Sequence, residues 1–138
     1  MRVLAVDHGS VRAGCAISDP TGTIARPLRV IEPPDPRAVA ELAAEHGAEL
    51  VIVGLPVSLS GAEGSQAAEA RAFRDALAAI LDVPVQTYDE RLTTRLAERS
   101  ARAGAAAAPD ALAAAHLLES YLHAHARAGD EVAGENDE

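Results

Sequence analysis

Short apolar runs separated by polar turns dominate the first thirty residues of the chain. Residues 3–6 are apolar and end at Asp7 and the turn sequence His8-Gly9-Ser10. Residues 14–17 and 24–31 repeat this arrangement. Short runs joined by tight turns predict three strands of an antiparallel meander.

The pattern changes at residue 35, after which apolar positions recur with helical spacing. Asp35 suits the N-cap of a helix, Pro36 suits its first position and Gly47 suits its end. Continuous or nearly continuous apolar runs at 50–53 and 83–88 predict two further strands. A Gly/Ser loop over 55–65 leads into a predicted helix that ends near 81, and two last helices are predicted over 94–102 and 109–125.

This order of elements predicts an α/β protein with a mixed five-stranded sheet, in which a three-strand antiparallel meander precedes helix-linked strands. Helices then cover both faces of the sheet. A chain of 138 residues has room for one domain. We assign residues 1–128 to it and predict that 129–138, which hold five acidic and no basic residues, form a disordered acidic tail.

The composition excludes several kinds of chemistry. All 12 basic residues are arginine, so mechanisms that need a lysine, such as a P-loop or a Schiff base, are ruled out. The net charge of −9 argues against nucleic-acid binding, although the predicted tail carries five of those charges. Cys15, the single cysteine, allows no internal disulfide and is expected in the core. No apolar stretch could span a membrane, and we expect a cytoplasmic protein.

Carboxylates follow two predicted strands and open the last helix. Asp7 ends the first strand, Asp89 and Glu90 end the fifth, and Asp110 lies in the first turn of the final helix. The carboxyl ends of strands form the usual site of α/β sheets, so these acids are expected to converge. Converging carboxylates need a cation, and oxygen ligands favour Mg²⁺ or Mn²⁺. A pair of such ions hydrolyses phosphodiester bonds.

Each acid also has a purely structural interpretation. Asp7 could accept hydrogen bonds from the turn that follows it, and Asp110 could complement the helix dipole. Asp89 or Glu90 could form an ion pair with a nearby arginine. Only the combination of acids at one sheet edge favours a catalytic site.

Arginines and glycines near these acids are candidates for substrate binding. Arg91, Arg95 and Arg99 share a helical face that is either solvated or contacts phosphate, and Arg12 lies in the turn after Asp7. The loop containing Gly61 and Gly64 leads into a helix whose N-terminus could bind phosphate. His8 is interpreted as a turn residue.

The sequence resembles the YqgF/RuvX family of RNase H-like proteins, described as Holliday junction resolvases and as nucleases of pre-16S ribosomal RNA. The resemblance covers residues 1–121, through the segments 6–9, 14–19, 53–56, 89–94 and 110–114. It implies an RNase H-like fold, with Asp7, an acid of the Asp89-Glu90 pair and Asp110 as catalytic carboxylates. Glu90 is preferred for its longer reach. An Ala-rich stretch, 102–108, replaces the basic stretch that the family often has before its last aspartate.

These observations predict an endonuclease that uses Mg²⁺ or Mn²⁺, held by Asp7, Glu90 and Asp110, to cut structured RNA or branched DNA. Ribosomal precursor particles are expected partners, a membrane is not, and the chain could be a monomer or a homodimer. The alternative is a non-catalytic ribosome-assembly factor that binds nucleic acid on the same fold. An ATPase of the actin-like kind is disfavoured because it needs two such domains.

Overall fold

In a computed structural model, residues 1–58, 60–93 and 108–136 are described. The elements, in chain order, are β1 (Val3–His8), β2 (Ala13–Ser18), β3 (Ala25–Ile31), α1 (Pro36–Glu45), β4 (Leu50–Leu55), α2 (Ser65–Ile80), β5 (Val85–Asp89), a 3₁₀ turn (Glu90–Leu92) and α3 (Pro109–Asn136). The predicted helix over 94–102 lies outside the described residues.

The five strands form one mixed sheet in the order β3-β2-β1-β4-β5. β1 pairs antiparallel with β2, and β2 pairs antiparallel with β3. β4 lies parallel to both β1 and β5. Tight turns allow antiparallel neighbours, whereas the parallel pairs require crossovers that α1 and α2 provide. The predicted architecture is therefore confirmed.

Alternate residues of the central strands enter two separate apolar clusters. On one face, α1 and α2 cover the sheet through buried residues that include Val39, Leu42, Phe73 and Leu77. On the other face, α3 covers it through the residues Ala114, Leu117, Leu118, Tyr121 and Leu122. β1 contributes Leu4 and Val6 to the first cluster, and Val3 and Ala5 to the second. Asp7 therefore continues the side of the sheet that α3 covers.

Local signals fix most of the element ends. The Asp35 side chain accepts a hydrogen bond from the Arg37 N–H at 3.0 Å, and Gly47 has the left-handed φ of 66° that ends α1. β5 begins at Val85, two residues later than predicted, just after Pro84. The predicted end of the last helix near His125 is wrong, because α3 continues to Asn136 through a stretch rich in alanine and glutamate. The domain boundary at 128 stays a prediction.

Two single-residue predictions have different outcomes. Cys15 is fully buried, as expected, and burial raises the pKa of its thiol to about 12. His8, predicted in a turn, is instead the last residue of β1, and its ring lies 4.8 Å from that of Phe73 on α2. Within the described ranges, no helix combines the length and the apolar character needed to cross a bilayer.

Candidate active site

The Asp7 and Glu90 carboxyl groups meet on the α3 side of the sheet. Asp7 ends the run of β1 residues that faces α3, and Glu90 opens the 3₁₀ turn directly after β5. The two side chains share a hydrogen bond. A hydrogen bond between two carboxyl groups requires a proton on one of them.

Burial and mutual repulsion explain how this pair holds its proton. Burial raises the pKa of Asp7, and the charge of Asp110 adds to this effect, while the hydrogen bond with Glu90 opposes it. Burial also raises the pKa of Glu90, to about 7, with further contributions from Asp7 and Asp89. The two carboxyl groups therefore titrate as a coupled pair, and a cation placed beside them would favour their full ionisation.

Glu90 reaches Asp7 across a glycine of β4. A Cβ added to Gly54 would lie 2.9 Å from Glu90 Oε2 and 3.1 Å from Leu117 Cδ2. The missing side chain at Gly54 leaves the space between the sheet and α3 that the carboxyl group fills. Gly54 belongs to the segment 53–56, which carries part of the family resemblance, but nothing in the sequence indicates this steric role.

A second glycine brings α3 onto the sheet next to Asp7. Gly14 of β2 pairs directly with Asp7 of β1. A Cβ added to Gly14 would lie 1.9 Å from the Asp110 carbonyl oxygen and 2.9 Å from the Ala111 nitrogen. Any side chain at this position would force the start of α3 away from the sheet, so Gly14 allows Asp110 to approach Asp7.

Asp110 is half-exposed and ion-paired with Arg12. Arg12 Nη1 lies 3.5 Å from Asp110 Oδ2, and the Asp110 side chain keeps 42% of its exposure. The other side of Arg12 faces Glu32, with Nε 3.4 Å from Oε2. Arg12 therefore lies at the site, as predicted, but between two carboxylates.

Asp89 is directed away from the Asp7–Glu90 pair. It accepts hydrogen bonds from Arg91, with Nη2 at 2.6 Å and Nε at 3.0 Å, and these hold the pKa of its carboxyl below the usual range. Arg91 also donates to the Ser58 carbonyl at 3.4 Å. Of the two neighbouring acids, Glu90 thus contacts Asp7, whereas Asp89 fixes the arginine beside the 55–64 loop.

Glu90 forms part of the wall of two adjoining cavities. The smaller one, of about 220 Å³, is lined by Asp7, Glu90, Thr93, Ala113, His116 and Leu117. The larger one, of about 580 Å³, opens at the N-terminus of α2 and is lined by Pro56, Val57, Ser58, Ala62, Gly64, Ser65, Gln66, Ala67, Glu90 and Arg91. Gly64 is the N-cap of α2, and Gly61 turns the loop with a φ of 88°.

Arg95 and Arg99, predicted to bind substrate, lie outside the described residues.

A buried serine of α3 holds the turn that carries Glu90. Ser120 donates a hydrogen bond to the Leu92 carbonyl at 2.6 Å, and its oxygen lies 3.2 Å from the Tyr88 hydroxyl. Because the Ser120 proton is used, Tyr88 is the donor in the second bond. Sequence reasoning missed Ser120, Thr93 and His116, since single polar residues in an Ala-rich helix or a turn form no pattern.

The donors at the site are of the kind that Mg²⁺ and Mn²⁺ prefer. Asp7 and Glu90 present carboxylate oxygens whose ionisation is disfavoured by burial and by mutual repulsion, which a bound cation would offset. The described ranges 1–58, 60–93 and 108–136 contain no group of three or more His, Cys, Asp or Glu side chains arranged to hold one ion. Asp110, whose charge acts on Asp7, is ion-paired with Arg12.

Sequence comparison relates the chain to nucleases. The RuvX family pattern, described as Holliday junction resolvase, matches residues 1–124. A protein of Chloroflexus aggregans is 44% identical over 133 residues, which cover 88% of this chain and 93% of that protein, and a protein of Thermobifida fusca is 53% identical over 105 residues, or 74% and 66%. Both are named "Putative pre-16S rRNA nuclease".

Solved structures with the same fold include two resolvases. Thermus thermophilus RuvC superimposes with a TM-score of 0.64 at 20% identity, covering 94% of this chain and 97% of RuvC. A fowlpox virus resolvase, solved with Holliday junction DNA, gives 0.55 at 14% identity, with 91% and 99% covered. These likenesses establish the RNase H-like fold.

Proposed function

The chain belongs to the RuvX family, and from this membership we propose that it is a nuclease that hydrolyses phosphodiester bonds in structured nucleic acid. The observation that carries the proposal is the contact between Asp7 and Glu90. Two carboxyl groups held together at a raised pKa are costly to the fold and favour a catalytic role. Asp7 and Glu90 are the proposed catalytic residues.

The proposed cofactor is Mg²⁺ or Mn²⁺, with Asp7, Glu90 and Asp110 as the residues that would hold it. Divalent ions in such sites supply a water of lowered pKa and stabilise the charge of the leaving oxygen. Gly14 keeps the start of α3, and with it Asp110, beside Asp7. The exposed position of Asp110 leaves its side chain free to exchange Arg12 for an ion.

The larger cavity is the proposed place for the nucleic-acid backbone. It joins Glu90 to the N-terminus of α2, where backbone N–H groups favour a phosphate. Arg91 adds a guanidinium that can contact phosphate while Asp89 fixes it. Gly61 and Gly64 shape this wall, and Arg12 is placed to bind a second phosphate once Asp110 releases it.

We favour structured RNA, specifically the 5′ end of pre-16S rRNA within ribosomal precursor particles, as the substrate. The two relatives with 44% and 53% identity are named "Putative pre-16S rRNA nuclease". The solved resolvases, in contrast, share at most 20% identity with the chain. The experiment compares this RNA with branched DNA as the substrate.

Cleavage assays with matched variants test this proposal. Wild-type protein, Asp7→Asn and, as a control away from the site, Glu41→Gln of α1 are given labelled pre-16S rRNA and a four-way DNA junction, with Mn²⁺ or with chelator. We expect RNA cleavage that needs Mn²⁺, falls by at least ~100-fold in Asp7→Asn, and is unchanged in Glu41→Gln. Cleavage that survives both the chelator and Asp7→Asn would refute the proposal.

One observation favours a second candidate, a non-catalytic assembly factor that binds nucleic acid. Arg12 neutralises Asp110, and the described residues lack a preformed three-ligand site. Calorimetric titration with Mn²⁺ separates the two functions. Salt-dependent RNA binding without any Mn²⁺ uptake would support the assembly factor and contradict the nuclease.

A further inference from the structure

His116 has a buried nitrogen that the protein itself leaves without a partner. Among the described residues, its Nε2 is the buried side-chain nitrogen or oxygen that makes no hydrogen bond. The residue lies on α3, six positions after Asp110, and is partly buried. Burying a polar atom without a partner costs free energy, so its surroundings require an explanation.

The surroundings of His116 are those of the smaller cavity. The ring forms part of the wall that also contains Asp7, Glu90 and Thr93, and the remaining wall is apolar, from Ala113 and Leu117. A cavity of about 220 Å³ holds several water molecules, each of about 30 Å³. A buried water also needs two to four polar partners, and two carboxyl groups, a hydroxyl and an imidazole meet that requirement.

We propose that His116 Nε2 binds a water molecule in this cavity and that the water links the imidazole to the Asp7–Glu90 pair. His116 is then a positioning residue, which acts on the carboxyl groups through the water. An imidazole nitrogen can donate to or accept from a water, so the site works with either tautomer. The kinetic consequence of this water site rests on the proposed nuclease function, whereas the water site itself does not.

The expected consequence is a fixed orientation of Glu90. Its carboxyl group touches Asp7 on one side and borders the substrate cavity on the other. A water held by His116 restrains the carboxyl oxygens from the direction of α3, where Ala113 and Leu117 offer no hydrogen bond. Groups that orient metal-binding carboxylates in this way contribute about 10–100-fold to metal affinity or activity.

A high-resolution crystal structure of the metal-free protein tests the water directly. We expect a water within about 3.2 Å of His116 Nε2 and of an Asp7 or Glu90 oxygen. A direct hydrogen bond between Nε2 and a protein atom would overturn the inference, and so would an Nε2 atom with no water bound to it. The same crystals soaked in Mn²⁺ give a further check, because a bond from Nε2 to the ion would also overturn it.

Three variants test the consequence in solution. His116→Leu removes the nitrogen, His116→Gln keeps a polar group of similar length, and His123→Leu alters an exposed histidine of the same helix. We expect His116→Leu to weaken Mn²⁺ binding and lower kcat by about 10–100-fold with KM unchanged. His116→Gln should recover most of both losses, and His123→Leu should match wild type.

The thermal midpoint distinguishes a positioning role from a structural one. His116→Leu should keep a thermal midpoint close to that of wild type, since the water-mediated bond that it loses is offset by the additional apolar surface that leucine buries. If it melts lower and His116→Gln does not restore Mn²⁺ affinity, the inference fails. If wild type binds Mn²⁺ but cuts no substrate, the nuclease proposal fails, while Mn²⁺ affinity and the crystal structure still decide the role of His116.

Discussion

A Cβ atom on Gly14 would lie 1.9 Å from the carbonyl oxygen of Asp110, a separation that no pair of non-bonded atoms tolerates. The helix that carries Asp110 thus rests on the bare backbone of β2, opposite Asp7. The position of one proposed ligand therefore depends on the absence of a side chain at one position of β2.

Gly14→Ala is therefore expected to impair both stability and the site. The added methyl group must displace the start of α3, and overpacking of this kind costs about 1–3 kcal/mol. Calorimetry should show a lower thermal midpoint, and Mn²⁺ binding should weaken because Asp110 moves away from Asp7. Gly64→Ala is the comparison variant and should lower the midpoint less, since a Cβ there meets nothing within 4 Å and only the N-cap of α2 is weakened. Equal midpoints for the two variants would contradict this account.

Ser120→Ala should loosen the turn that carries Glu90. The substitution leaves the Leu92 carbonyl and the Tyr88 hydroxyl without their buried partner, at a cost of about 1–3 kcal/mol. Urea denaturation measures this loss. Tyr88→Phe removes only the longer of the two bonds and should cost less. If both variants lose the same stability, the bond to Leu92 does not hold the turn.

Glu90 should make the metal-free protein less stable as the pH rises from about 4.5 to about 7, while His8, whose pKa burial lowers, contributes a smaller slope of the opposite sign near its ordinary pKa. The pKa of Glu90 is raised from 4.5 to about 7 in the folded chain, so over this range the folded state binds more protons than the unfolded state. The free energy of unfolding then falls with increasing pH, and the stabilising contribution is complete only below the unfolded pKa. Asp7, whose pKa is also raised, adds to the same slope at lower pH.

Urea denaturation at several pH values, in chelator, measures this slope. Glu90→Gln should flatten it, whereas Glu41→Gln, an exposed change on α1, should not. Mn²⁺ should restore stability at pH 7 and above, since a bound cation favours the ionised pair. Equal slopes in the wild-type protein and in Glu90→Gln would contradict a shared proton, because the slope that His8 adds is common to both.

Arg12→Gln should strengthen Mn²⁺ binding and weaken substrate binding. The arginine competes with an ion for Asp110, but half-exposed ion pairs are worth only about 0–1 kcal/mol, so Kd for Mn²⁺ should fall by at most about fivefold. The KM for RNA should rise if Arg12 contacts phosphate. Arg37→Gln, an exposed change on α1, is the control. If the Kd for Mn²⁺ and the KM for RNA are both unchanged, Arg12 affects neither metal binding nor substrate binding.

The architecture could be predicted from the sequence because it depends on periodicity. The five predicted strands are all present, and α3 packs on the sheet through a stripe that contains Ala114, Leu117 and Tyr121. The choice between Asp89 and Glu90 could not be derived from the pattern of alternation, since the 3₁₀ turn breaks that pattern between them. The roles of Gly14, Gly54 and His116 depend on distances between elements, which no local pattern encodes.

The pairing of Asp7 with Gly14 makes the geometry of the proposed site depend on the length of a surface turn. Residues 9–12 connect β1 to β2, and the Gly9 N–H donates to the Arg12 carbonyl across this turn at 2.9 Å. A strand shifted by one residue exchanges its two faces, so an insertion here would place Ala13 or Cys15 under α3. Surface turns usually tolerate insertions, but here a single added residue should disrupt the close approach of α3 to β2 beside Asp7.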